Sequence, residues 1–531
     1  MTDALLEWRG YRYFPYEREF ARLETEQLFG EPTREDARGL CVSANAFSAT
    51  AADRLTYVSR VICPDGPVLV PRQAALEASA TAGERERQST RYSAHGLHEY
   101  KGKFNPQVVR AIGNIIGLHD GAHVLDPFCG SGTTLLECAH AGWSATGLDR
   151  NPLAVHIANA KLTALRCATS GLAERVERLL AAVGAATVGM SAEDVDRGFF
   201  DARLGDGWRS ELPSLGYLES WFPLGVLGQV VAIRRAIRAH FTSDRERAIF
   251  DVVLSDHLRE ASLQDPADLR LRRRKDALSN YPITEWFIDA VRTRIPRVVR
   301  ARDAMRAVQG SQVAHLADVR AVVGTAPGMP LAGFDAVITS PPYETALPYI
   351  DTQRLSLVLL GLIPAEAIQG TEKQLIGARE IATSERRVHE EAIRRGAPEL
   401  PTSVVELCRE LLAASVGEGN GFRRRSRPAL SYRYFLQMAL YFANMRSLVR
   451  TGGLVSMVVG HNRTTLGGRE FEIDTPGLLI DTAKHQGFSV RLQKPMETYR
   501  RYDLHQKNSI AAETLFVLEN PVRVTDHVPP I

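Results

Sequence analysis

The chain has 531 residues, 44% hydrophobic and 24% charged, the proportions of an ordinary soluble globular protein. Its 65 lysines and arginines against 62 acidic residues leave a net charge of +3, too small to announce a nucleic-acid partner by itself. No apolar run is long enough to span a bilayer, the opening MTDALLEWRG lacks a signal pattern, and the six cysteines form no CxxC pair or Cys/His ligand spacing. A cytoplasmic protein with reduced thiols, no membrane association and no metal is therefore expected.

In chain order, residues 1–90 mix aromatics and charges (EWRGYRYFPYEREF) with a short strand-like run, LTYVSRVI. They close on ALEASATAGERERQST, polar and small enough to read as a linker. This N-terminal segment has no assigned role. From 91 to 165 the pattern alternates: helix PQVVRAIGNII, buried strand AHVLDPF, helix TTLLECAHAG closed by Gly142, and strand WSATGLD. Residues 166–310 form a mostly helical insertion. Strands QVAHLADV and FDAVITS follow within 311–360, and a charged tract fills 361–430. The last part, 431–531, holds helix YFLQMALYFANMRSLV, strand GGLVSMVVG and a closing hairpin. Strands interrupted by two insertions describe a doubly wound, mostly parallel α/β sheet with an antiparallel C-terminal hairpin.

Two stretches carry chemistry. In VLDPFCGSGTT, residues 124–134, glycines sit where a strand turns into a helix, so the backbone can approach a ligand at Gly130 and Gly132. No Lys-Ser/Thr follows, so this is not a triphosphate loop, and the spacing is not GxGxxG. The next strand ends in Asp149, placed as a carboxylate that grips ribose hydroxyls would be. The second stretch ends a buried strand with Ser340, Pro341, Pro342 and Tyr343. Prolines cannot extend the sheet, so these groups are left at the strand's carboxyl end, where open α/β sheets hold ligands.

DPFCGSGTT together with TSPPY resembles the S-adenosylmethionine-dependent amino-methyltransferases of DNA. GLDRNP is similar to their motif II, LADVR to motif III, and HEYKGKFNPQVVR to motif X. The resemblance implies a class I methyltransferase-like Rossmann fold with S-adenosyl-L-methionine as cofactor. It puts Asp126 near the methionine amino group, Asp149 on the ribose, Asp318 on the adenine edge and Phe104 against the cofactor. Pro127, Phe128, Gly130, Gly132 and Thr133 complete the cofactor turn.

The resemblance also implies the catalytic set. An exocyclic amine is a poor nucleophile because its lone pair is delocalised, so it must be bent toward tetrahedral geometry and held in line with the methyl. Ser340 and the carbonyl of Pro341 accept the amino hydrogens, Pro342 stiffens the turn, and Tyr343 stacks on a flipped base. In this family SPPY accompanies mainly N4-cytosine methylation and DPPY N6-adenine methylation. The function implied is N4-cytosine methylation of double-stranded DNA, as the protective half of a restriction-modification system whose endonuclease is a separate chain. N6-adenine methylation and methylation of an RNA base remain alternatives. A regulator that has lost catalysis would not need an intact SPPY. The C5-cytosine route needs a Pro-Cys pair, which the chain lacks.

The motif order is X, I, II, III, IV, and about twenty residues separate Asp318 from Ser340, too few for a recognition region. Recognition is therefore expected from 166–310, 361–430 or the first 90 residues. Basic clusters mark both insertions: Arg270, Arg272, Arg273, Arg274 and Lys275 in the first, Arg423, Arg424, Arg425 and Arg427 in the second. The second is flanked by Gly417, Gly419, Gly421, Phe422, Tyr432 and Tyr434, and reads as a flexible loop settling on phosphates.

Overall fold

The computed structural model describes residues 3–64, 66–80, 88–167, 171–192, 195–268, 272–276, 278–305, 310–321, 333–344, 349–416, 421–497 and 512–522. Arg270, Gly417, Gly419 and the side chains of Phe422 and Arg423 lie outside them.

Seven strands form the central sheet: β1 (His123–Asp126), β2 (Ser144–Asp149), β3 (Gln312–Leu316), β4 (Phe334–Thr339), β5 (Val449–Gly460), β6 (Ser489–Glu497) and β7 (Ala512–Glu519). Their spatial order is β6-β7-β5-β4-β1-β2-β3. The five strands β5-β4-β1-β2-β3 are parallel, and β7 runs antiparallel to both of its neighbours. The parallel strands read as near-continuous apolar runs because both faces are covered. Val124, Ala145, Ala336 and Ile338 face one core, while Leu125, Leu148, Val337, Val455 and Met457 face the other.

Helices α1 (Pro106–Ile115), α2 (Thr133–Ala141) and α3 (Pro152–Cys167) cover the first face. Asn105 caps α1 by accepting from the Gln107 and Val108 amides, and Pro106 sits in its first turn. Gly113 of α1 is required by packing, since a Cβ there would lie 2.3 Å from the buried Trp143 ring. The expected helical insertion follows on this same side. Its helix Asp244–Ser255 lies along α3, and Ile283–Asp303 packs on residues 93–96.

Although Ile368 near its start packs in the first core, most of the tract 361–430 goes to the opposite face. Helices Thr383–Arg395 and Thr402–Ser415 pack there on α5 (Arg427–Leu448), beside α6 (Thr475–His485). The two insertions therefore flank the sheet from opposite sides. A hairpin, Asn462–Leu466 with Arg469–Ile473, leaves the carboxyl end of β5 and seats Leu466 and Phe471 on Leu411.

The first 80 residues build an antiparallel sheet in the order Arg34–Asp36, Gly39–Val42, Ala4–Trp8, Val58–Ile62, Val68–Leu69, with helix Pro15–Phe29 against α1. The buried Glu24 carboxylate seals that joint, accepting from the Thr56 amide (2.8 Å), the Thr56 hydroxyl (2.7 Å) and Asn114 Nδ2 (2.9 Å). The stretch read as a linker from 75 begins instead within helix Arg72–Ala78, because Gln73, Leu76 and Glu77 find buried partners. Among the described residues no helix is long and apolar enough to cross a membrane.

Candidate active site

β1 ends in Asp126, and the chain turns through Pro127–Gly132 into α2. Both turn glycines have left-handed backbones, φ +48° at Gly130 and +81° at Gly132. The Gly130 amide donates to Asp149 Oδ2 (3.0 Å), which locks the turn against the end of β2. Asp149 also accepts the Asn151 amide at 2.8 Å. Burial pushes its carboxyl up to about 6 despite those amides, so the group is an acceptor held in a poorly solvated place.

Around this turn opens a cleft with about 720 Å³ of empty volume, part of it open to solvent. Four neighbouring strand ends contribute: Pro127, Phe128 and Gly130 after β1; Asp149, Arg150 and Asn151 at β2; Ala317, Asp318 and Val319 after β3; Ser340 and Pro342 after β4. The cleft thus lies outside the carboxyl edge of the parallel strands, the position that doubly wound sheets use for ligands.

Two aromatic walls come from elsewhere. Tyr100 lies 3.5 Å from where a Cβ on Gly130 would stand, and Tyr349 begins helix α4 (Tyr349–Leu359). Leu375 and Ile376 add apolar surface. The helical insertion braces both walls. Asp256 accepts the Glu99 amide (2.7 Å) and pairs with Arg294 (2.7 Å), which also donates to the Leu97 carbonyl (2.8 Å). On the other wall, Arg234 donates to the Leu359 carbonyl at 3.2 Å.

At the rim, Asp318 accepts from Arg150 and Arg320, both at 2.7 Å, and these cations hold its carboxyl below the usual range against the opposing effect of burial. Arg150 reaches on to Gln374. The remaining expected cofactor residues lie off the wall. Asp126 is buried behind it, with Oδ1 accepting from the Thr339 hydroxyl (2.7 Å) and the Phe128 amide (3.1 Å). Thr133 is buried in the first turn of α2, and Phe104 packs into the larger core. Gly132 faces away from the cleft: a Cβ there would meet Ala158 Cβ of α3 at 2.7 Å.

The proline turn after β4 is held from behind by α5. The Tyr434 hydroxyl donates to the Pro342 carbonyl (3.1 Å). Arg427 pairs with the fully buried carboxylate of Glu344 at 3.0 Å, and Ser431 donates to the same carboxylate. Asn462, at the base of the hairpin, donates to the Glu344 carbonyl at 2.9 Å. Tyr343 donates from its hydroxyl to Glu513 Oε1 at 2.5 Å. Of the expected catalytic residues, Ser340 and Pro342 line the cleft, Pro341 is buried, and Tyr343 stands half-buried beside it.

From Phe422 to Tyr434 the expected loop is largely helical instead. Phe422–Arg425 is a helical turn, and α5 begins at Arg427. Every residue from Ser426 to Phe435 is buried, and the two arginines among them are paired, Arg427 with Glu344 and Arg433 with Glu385. Arg427 is therefore an internal counter-ion of Glu344 and not a phosphate contact, and Tyr432 and Tyr434 are core residues. Arg424 and Arg425 remain exposed. In the helical insertion Arg272 pairs with Asp268 (3.3 Å) and Arg273 lies over the Trp221 ring (5.0 Å). Arg274 is half-buried and Lys275 exposed.

The motifs do not point to Tyr100, Tyr349, Leu375, Glu344 or Glu513. Tyr100 lies inside HEYKGKFNP, four residues before Phe104, so the aromatic pair itself was the available signal. Glu344 follows Tyr343 directly, but nothing local marks Tyr349, Leu375 or Glu513 as neighbours of the glycine turn or the proline turn.

A family model described as an RMKL-like methyltransferase domain matches residues 97–183. The chain is also 40% identical over 84 residues to the Type II methyltransferase M.MjaII of Methanocaldococcus jannaschii. That alignment covers 14% of this chain and 14% of the relative, so it spans far less than two thirds of either protein. The family match falls on α1, β1, the glycine turn, β2 and α3, and the fold is that of a class I methyltransferase: a mostly parallel central sheet flanked by helices.

Proposed function

We propose that the protein methylates the N4 amino group of cytosine in double-stranded DNA, with S-adenosylmethionine as donor. One observation carries this reading: Ser340 and Pro342 open onto the same cleft as Gly130 and Asp149, so a proline-stiffened acceptor turn and a nucleoside-type pocket share one wall. The pocket suits the donor. A buried carboxylate stands ready for ribose hydroxyls, and Tyr100, Phe128, Tyr349, Leu375 and Ile376 offer apolar surface to a purine. When bound, S-adenosylmethionine supplies an electrophilic methyl on its sulfonium.

The residues of the chain then do the positioning. Ser340 accepts one amino hydrogen and the proline turn offers backbone carbonyls for the other, so the nitrogen lone pair is turned toward the cleft. Tyr343 gives a face on which an extruded cytosine stacks. A neutral serine at 340 suits a weakly basic amine, which favours cytosine over adenine. The relative's description as a Type II methyltransferase supports a DNA substrate and, with it, protection against a separate endonuclease. Arg424 and Arg425 on one side of the sheet, with Arg272 and Lys275 in the helical insertion, are the candidate phosphate contacts.

Mass spectrometry of nucleosides from cells expressing the protein tests this. N4-methylcytosine in DNA is expected, and should be absent with Ser340→Ala. N6-methyladenine would move the base assignment, a methylated base confined to RNA would move the substrate, and no methylated base at all would overturn the reading.

A further inference from the structure

We infer that Glu513 is a positioning residue that sets the plane of Tyr343 before a base arrives. The inference rests on the methyltransferase reading above and assigns a role to a residue outside its motifs.

The topology puts Glu513 there. β7 is antiparallel to β5, so β7 begins at the carboxyl edge where β4 and β5 end, and Glu513 pairs in register with Gly460 and with Met496. From that edge its carboxylate takes the Tyr343 hydroxyl at 2.5 Å, the length of a charge-assisted O–H···O⁻ bond. The Tyr343 ring is meanwhile packed against the second core. Burial and the Glu513 carboxylate push the phenol well above its ordinary pKa, so the hydroxyl stays a donor.

A phenol ring that packs on one side and bonds at its far end has its tilt set at two points. A ring packed alone keeps residual freedom about its side-chain torsions. A stacking surface already at the right tilt loses less of the binding energy to ordering, and it delivers the amino nitrogen to one place over the cleft. Bond and ring together form the platform. Ser340 and the proline turn then need only orient the amine.

A double-mutant cycle on Tyr343→Phe and Glu513→Ala tests this, read both as methyl-transfer rate on DNA and as melting temperature. Each single change should lower kcat about tenfold, the weight of one hydrogen bond to a charged group. Cofactor affinity by calorimetry should not move, and the double variant should be no slower than either single. Glu513→Gln, which keeps a carbonyl acceptor of the same shape, should recover most of the rate and guards against simple misfolding. Additive rate losses, or coupling seen in melting temperature but absent from the rate, would overturn the role of Glu513 while leaving the functional reading intact. A wild-type protein that methylates no nucleic acid would overturn the functional reading, whatever the stability cycle shows.

Discussion

Asp126 shows what a single buried carboxylate does to this protein. Burial pushes it from an ordinary 3.8 up to about 6, although the Thr134 and Thr339 hydroxyls and the Phe128 amide pull the other way. The folded chain therefore holds the proton more tightly than the unfolded one. The stabilisation this brings is complete below about pH 4 and is lost as pH rises through about 6. At pH 7.5 the charged group is a net cost. Asp126→Asn keeps Oδ1 for the Phe128 amide and Thr339, and gives its new amide hydrogens to the Thr134 hydroxyl. We expect it to raise the stability of the cofactor-free protein at pH 7.5 by on the order of 2 kcal/mol, a gain that fades toward pH 4. Denaturant titrations at the two pH values check this. Calorimetry on the same variant should show S-adenosylmethionine affinity falling at least about tenfold, a stability–function exchange. Undiminished affinity would make Asp126 a structural residue only.

At the level of elements, the glycine turn divides its two jobs between its two glycines. Gly130 borders the cleft, whereas Gly132 lets α2 approach α3 at Ala158. Gly132→Val combines a left-handed backbone with a Cβ contact of 2.7 Å, and should cost roughly 2–4 kcal/mol of folding stability. Gly130→Ala meets only Tyr100, at an ordinary 3.5 Å, and loses about 1–2 kcal/mol to its left-handed conformation. Its larger effect should be on cofactor binding, because the added methyl lies against the Tyr100 wall. Thermal melts and calorimetry on the pair separate the roles, and equal stability losses would contradict the division. The helical insertion acts at this scale too. Through Asp256, Arg294 and Arg234 it fixes the segments that carry Tyr100 and the α4 wall, whatever else it contacts.

Across the whole molecule, the basic residues of one short stretch have opposite fates. Arg424 and Arg425 stand in solvent in the helical turn just before α5, whose first turns are enclosed, and Arg427 is sealed against Glu344. Arg424→Ala with Arg425→Ala should leave the melting temperature unchanged and reduce the salt dependence of DNA binding by up to about two phosphate contacts. Arg427→Ala should instead destabilise by about 3–5 kcal/mol, because it strands a buried carboxylate directly after the proline turn. Salt titrations of DNA affinity and denaturation curves tell the two apart. A variant lacking Arg424 and Arg425 with an unchanged salt slope would assign phosphate binding to the opposite insertion.

The strands, the glycine turn, the proline turn and the two insertions were legible in the sequence because each is written in neighbouring residues. Apolar runs of strand length, glycines at a strand-to-helix junction and prolines that end a strand depend on contacts within a few positions. Direction and burial do not. Gly130 and Gly132 are the same residue type two positions apart, and only the packing of α3 decides which one faces a ligand. Arg425 and Arg427 differ in fate because Glu344, far back in the chain, lies over one of them. The Tyr349 wall and the Glu513 acceptor belong to segments that meet the motifs only when the sheet closes in its particular order. Sequence alone determined the elements and the two turns. The tertiary structure decided which side chains share the cleft, since a side chain's surroundings are set by strand order and long-range packing, which no local pattern encodes.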